Sequence, residues 1–339
     1  MRFSHWRGGF SAALVVLVPL VTPGIISAQS TDSSSSLVGA MKIDLSAGAQ
    51  LAPGPNRYYS VSGTFESFVS EHWQVGISPA FGASTGRYGN SVGVGLNGTV
   101  NYVLGAGRTR WFIGATAGGS AGSGGDGASF LGAQAGALYF PVPTAALRAE
   151  LRSRRLGNSD GFTSYGAFLT LDSYLSATRS GATSPPDRGA VDVAFDANVD
   201  FNGARARSVD LMVAPFLTPW AQVGGTYSAI GVPRDGDWPT SQLFRGFARL
   251  YTPLGPRAMP FVEGFVEGAR YPYGAHAPTI PGAAAGVRHY LNDGTAFDAA
   301  LQWRRSHAES GNGYTIPGRD YLRLQAGIVT ELRLRARRE

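Results

Sequence analysis

Cysteine is missing from all 339 residues of the chain. That excludes disulfides as a means of holding it together and removes the thiolate ligands of a zinc site. Long apolar runs are missing beyond residue 28, so the rest of the chain offers no transmembrane helix. Helical periodicity appears nowhere over a useful length. Histidine is scarce: besides His5 there are only His72, His276, His289 and His307, no two at metal-ligand spacing, and no metal or other cofactor is expected. Charged residues reach only 15%, beside 47 glycines and 11% aromatics, a balance that suits an all-β protein with many tight turns.

The amino terminus reads as a targeting segment. Arg2 and Arg7 supply a positive region, Phe10 to Val21 an apolar one, and Ser27-Ala28 a small-residue cleavage site before Gln29. Residues 1–28 are therefore expected to be a secretory signal, succeeded by a polar, disordered lead-in at Thr31 to Ser36. An exported chain without disulfides needs another form of closure, and a hydrogen-bonded barrel provides one. The net charge is +6, but the arginines are spread singly and cluster only at Arg333 to Arg338. Export and that spread argue against a nucleic-acid partner.

Alternation of period two dominates the rest of the chain. In Met41 to Gly48 one face carries Met, Ile, Leu and Ala, the other Lys, Asp, Ser and Gly; Tyr59 to Glu66 and Trp73 to Gly82 alternate likewise. Eight candidate strands fill residues 37–175. Residues 176–188, with Pro185-Pro186, read as a linker, and eight more strands fill 189–335. Each is near the ten residues that a tilted strand needs to cross a bilayer. Connections after even-numbered strands are short, as at Pro141 to Thr144 and Asn292 to Gly294. The longer ones, such as Gly231 to Thr240 and Ser306 to Arg319, come after odd-numbered strands. Sorting of loops by parity is the pattern of outer-membrane barrels, with the short turns periplasmic. Aromatics near strand ends, among them Trp73, Tyr102, Trp111, Tyr139, Trp220 and Trp303, suit two interfacial girdles.

The two halves echo each other. Gly132 to Arg155 aligns without a gap on Gly282 to Arg305, at a constant offset of 150, and His72-Trp73-Gln74-Val75-Gly76 is echoed at Trp220-Ala221-Gln222-Val223-Gly224. A repeat of this length indicates a duplicated structural unit.

On alternation, loop parity and phrases such as His72-Trp73-Gln74-Val75-Gly76 and Gly286-Val287-Arg288-His289-Tyr290-Leu291, residues Leu37 to Arg335 resemble the small outer-membrane β-barrel domain superfamily, the OmpX-like and OmpA-like eight-stranded barrels, in two tandem copies. The resemblance implies an all-β fold, an antiparallel transmembrane β-barrel of about sixteen strands in two eight-strand units. It also implies a place in the bacterial outer membrane, with lipid, lipopolysaccharide and the insertion machinery as partners. One departure is the carboxy terminus, Leu334 to Glu339, which lacks the terminal aromatic of such chains. Inward positions are small (Gly76, Gly114, Gly132, Gly136) or long and charged. The charged set comprises Lys42, Asp44, Glu66, Arg148, Glu150 and Arg152 in the first unit, and Asp192, Arg245, Glu263, Arg288, Asp298 and Arg323 among others in the second. Small beside long side chains suit eight-stranded interiors, which side chains must fill. Two separately closed barrels are thus expected, with one sixteen-stranded barrel as the alternative.

Chemistry-bearing constellations are few. Ser306-His307-Ala308-Glu309-Ser310 is loosely similar to the His-x-Ser element of outer-membrane lipid A deacylases, but Ser310 stands three residues from His307 rather than two. The pairs Arg154-Arg155 and Arg304-Arg305 end outward-running strands, where they would contact lipopolysaccharide phosphates or remain plain solvated charge. The reading is a structural or surface-interaction barrel without catalysis; a passive diffusion pore is the second reading and a lipid A-acting hydrolase the third.

Overall fold

The computed structural model describes residues 37–52, 57–86, 89–123, 127–157, 162–175, 189–200, 207–231, 240–255, 257–270, 276–305, 309–311, 314–316 and 320–333. The signal segment, the lead-in, the linker, His307 and the arginine-rich tail beyond residue 333 lie outside them. The first half forms β1 (Met41–Ala52), β2 (Arg57–Phe68), β3 (Trp73–Gly86), β4 (Gly89–Leu104), β5 (Thr109–Gly122), β6 (Ala128–Val142), β7 (Ala145–Leu156) and β8 (Thr163–Leu175). The second half forms β9 (Ala190–Asp200), β10 (Arg207–Thr218), β11 (Ala221–Gly231), β12 (Thr240–Tyr251), β13 (Ala258–Arg270), β14 (His276–Asn292) and β15 (Thr295–Arg305). A small hairpin comes next, β16 (Glu309–Gly311) with β17 (Tyr314–Ile316), and β18 (Asp320–Arg333) ends the set.

Apart from the hairpin, the strands form one closed antiparallel barrel in sequence order, with β1 meeting β18 and β8 meeting β9. Closure leaves no sheet edge. Each strand alternates because one face meets the interior and the other the surroundings. The short turns gather at one end. Gly105 and Gly107, both at positive φ, let the chain reverse between β4 and β5 in the left-handed region that glycine tolerates.

The expectation of two separately closed barrels is corrected by this sheet, and the correction has a particular form. Near the long-loop end β1 pairs with β18, from Ser46 opposite Gly327 to Ala52 opposite Leu322. There β8 pairs with β9, from Gly166 opposite Asp200 to Thr170 opposite Asp196. Near the short-turn end the partners exchange. Met41 and Lys42 of β1 pair with Leu175 and Tyr174 of β8, and β9 pairs with β18 from Ala190 opposite Arg333 to Val193 opposite Thr330. The barrel is thus one sixteen-strand wall above and is drawn in below to two eight-strand lobes. Side chains explain the waist: the lower inward positions are large enough to fill eight-strand interiors, while the upper ones on β2 to β5 are largely Gly and Ser.

The lobes stand back to back. Ser173 and Thr330 have the parity that faces away from their own lobe interiors, yet both are buried, and their hydroxyls are hydrogen-bonded to each other. Asn292 Nδ2 donates to Tyr174 O at 3.1 Å, tying the turn of one lobe to the last inward residue of the other. Ser173→Cys with Thr330→Cys is expected to give a nearly complete intrachain disulfide on mild oxidation, read as loss of both free thiols in a chain with no other cysteine. Persistence of both thiols would show that the lobes do not meet here.

Candidate functional site: a plugged lumen with an open mouth

Each lobe is closed by two layers of side chains. In the first lobe the lowest layer is apolar: Phe68, Val103, Phe112, Leu138, Phe140, Ala146 and Tyr174 are all buried, with the Phe140 and Tyr174 rings 5.3 Å apart. In the second lobe Phe216, Tyr251, Met259, Phe261 and Tyr290 do the same, with Tyr251 5.5 Å from Phe216 and 5.6 Å from Phe261, while Phe247 and Phe265, also buried, sit higher, between the inward charges of β12 and β13. These are inward positions by register, so the rings fill the lumen rather than a core outside it.

Above the rings lie hydrogen-bonded polar layers. In the first lobe Arg148 Nη1 lies 2.7 Å from Glu66 Oε2 and 3.6 Å from Asp172, while Lys42 Nζ lies 3.0 Å from Asp172 and 3.9 Å from Glu66. Arg152 extends the set by donating to Glu150 at 2.6 Å. Beside them runs a ladder of amides, Asn101 to Gln74 at 3.1 Å and Gln134 to Asn101 at 2.7 Å. That ladder spans β5 because the intervening residue is Gly114; any Cβ there would collide with Asn101. In the second lobe Arg288 is 0% exposed and is held by Asp192 at 2.6 Å and Asp298 at 2.8 Å. Arg249 reaches Asp298 at 2.8 Å and also pairs with Glu263, which Arg245 shares. Tyr251 donates to Gln222 at 2.7 Å, and Gln222 donates to Asp192. A buried charge stripped of partners is very costly, so these networks make a dry, charged interior tolerable.

Above the polar layers the lumen opens. Inward residues of the upper wall, including Asp44, Ser62, Ser91, Ser120, Asp196, Asp210, Arg323 and Gln325, are exposed although they face the inside. The mouth is therefore wide and hydrated at the long-loop end, and the short-turn end is filled.

Register separates the members of the two arginine pairs. Arg154 lies opposite Gly132 and Arg304 opposite Gly282 and Tyr321, so both are inward. Arg154 stacks over Phe130 at 4.7 Å; Arg304 lies over Tyr321 at 5.1 Å and pairs with Glu267 at 3.2 Å. Their neighbours Arg155 and Arg305 are exposed on the outer face, with Arg305 3.9 Å from Asp320. The amide ladder is the part that sequence reading misses, although Gln74, Asn101 and Gln134 share the parity of the inward charges.

The outer wall is apolar. Trp73, Ile77, Leu96, Trp111, Ile113, Leu131, Leu151, Leu217, Val262 and Trp303 are all exposed, Leu131 to 67%. Trp73 packs edge-on against Tyr102 at 5.1 Å near the short-turn end, as an interfacial girdle would. A closed sheet with a polar inside and an apolar outside is built for hydrocarbon, since its strands pair with their neighbours all round the wall. The class is thus an integral β-barrel of the bacterial outer membrane.

No family model and no curated protein matches the chain. Among solved structures it is similar to a bacterial polysaccharide outer membrane secretin, at 12% identity over 88% of this chain and 99% of that one, with a TM-score of 0.48. It is also similar to the CymD monoaromatic hydrocarbon channel (9% identity, 87% and 88% covered, TM-score 0.38). A third likeness is to the outer membrane protein OprD from Pseudomonas aeruginosa (12% identity, 90% and 97% covered, TM-score 0.36).

Proposed function

We propose that this is a closed outer-membrane barrel that acts through its outward mouth, in a structural or surface-interaction role, without catalysis and without steady conduction. The observation that carries this reading is the filling of both lobes by buried side chains, Arg288 in one and Tyr174 in the other each being 0% exposed. The reading of two OmpX-like units is supported by register, since Gly132 faces Arg154 as Gly282 faces Arg304. Arg155 and Arg305, on the outer face at the long-loop end, are the members of their pairs placed to meet lipopolysaccharide phosphates.

The second reading, a passive pore, is favoured by the sixteen-strand upper wall, which alone would enclose an aqueous channel. It would require both plugs to move aside. Single-channel recording of the refolded protein in a planar bilayer separates the two. Silence from inserted, folded protein is expected; steady conductance on a porin scale would overturn the closed-barrel reading.

A further inference from the structure

The second lobe's ion pairs form one chain of alternating sign that climbs from the plug to the mouth. Asp192 meets Arg288, which meets Asp298; Asp298 meets Arg249, and Arg249 meets Glu263. Glu263 meets Arg245, Arg245 meets Glu267 at 3.3 Å, and Glu267 meets Arg304 at 3.2 Å. Every carboxylate in this series lies between or beside guanidiniums, and the series ends at the mouth on a cation. Arg323 then stands on the neighbouring strand, paired by backbone register with Gln302 and Gln50. It is exposed to the lumen, and among the described residues it has no carboxylate within ion-pair distance. Room for it is kept by Gly48 on β1, where an added Cβ would come within 3.4 Å of the Arg323 guanidinium.

Among the described residues the upper wall of this lobe therefore carries a cation with no ion-paired carboxylate, beside Arg304, whose one carboxylate partner there, Glu267, is shared with Arg245. We propose that this wall is a binding site for a small oxyanion-bearing solute, a phosphate or carboxylate, held between Arg323 and Arg304. Guanidiniums suit such anions because their planar forks donate two parallel hydrogen bonds. The Tyr321 ring beneath Arg304 fixes that side chain's direction. The alternating series behind it keeps both guanidiniums from being drawn down into the plug. This inference rests on the reading of the mouth as the functional face.

The test is isothermal titration of the folded full chain in detergent at low salt, with inorganic phosphate and with glucuronate as probes. Wild type is expected to bind at least one of them, and the one preferred identifies the anion class. Arg323→Gln is expected to weaken binding about tenfold or more. Arg155→Gln, on the outer wall, is expected to leave it unchanged. Near-UV circular dichroism checks that each variant keeps its fold, which Arg323→Gln should do because the side chain is exposed. Binding of neither probe, or an Arg323→Gln variant that binds like wild type, overturns the site. Conductance of the same preparations is a separate readout: a conducting protein that still binds the anion overturns the closed-barrel reading alone, and a silent one that does not bind overturns the site alone.

Discussion

Arg288→Ala is expected to destabilise the barrel by about 3–5 kcal/mol. The guanidinium has no exposure, and it is the only cation within ion-pair distance of Asp192 among the described residues. It also holds Asp298 through two hydrogen bonds, at 2.8 and 2.9 Å. Its removal leaves Asp192 buried with only the Gln222 amide for company, and the cost is that of an uncompensated buried carboxylate rather than of one lost contact. A second measurement makes the cause visible. Replacing the whole group, as Arg288→Met with Asp192→Asn and Asp298→Asn, is expected to recover a large part of the loss, since apolar or neutral substitutes of similar shape leave no orphaned charge. Urea unfolding in detergent, monitored by tryptophan fluorescence, reads both. A loss below about 1 kcal/mol for Arg288→Ala, the range of exposed ion pairs, would mean that water reaches the plug.

Much of this site is written in the period of the strands. Lys42, Glu66, Arg148, Glu150 and Arg152 alternate with residues of the other face, most of them apolar, and the parity of one member places the rest. Parity also carries the direction of Arg154 and Arg304: each stands two residues from an inward partner, Arg152 and Gln302, and so cannot share a face with the arginine after it. Reading the pairs as blocks hides this. The waist, in contrast, is not legible in local pattern. Met41 to Leu45 alternate in the same way whether β1 pairs with β8 or with β18, because backbone hydrogen bonds carry no sequence. What decides the partner is whether the lumen below can be filled by eight strands, a property of side chains from many strands at once. The hairpin of Glu309–Gly311 and Tyr314–Ile316 is lost within a loop in the sequence pattern, because two three-residue strands are too short to show a period.

The glycines shared by the two halves give the other large effect. Gly136 on β6 lies under the Phe112 ring of β5, where an added Cβ would come within 2.8 Å of Phe112 Cζ and would also meet Ala149 O. Gly286 on β14 repeats the arrangement beneath Phe261 of β13, with Phe261 Cζ at 2.7 Å and Ala299 O as the second obstacle. In both places the ring covers the bare backbone of its neighbour and so lies flat in the plug. Conformational entropy alone favours Gly→Ala in a strand by about 0.5–1 kcal/mol. Here the sign is expected to reverse: Gly136→Ala and Gly286→Ala should each cost about 1–3 kcal/mol, because the ring must leave its place and backbone oxygen cannot yield. Gly264 on β13 provides the comparison, since nothing lies within 4 Å of its added Cβ. Gly264→Ala should therefore be neutral or stabilising. The double variant at 136 and 286 should be additive within about 0.5 kcal/mol, as the two sites belong to different lobes and share no partner. If all three substitutions behaved alike in urea unfolding, the rings would not be seated on glycine. The plugs would then owe their closure to the charged layer alone.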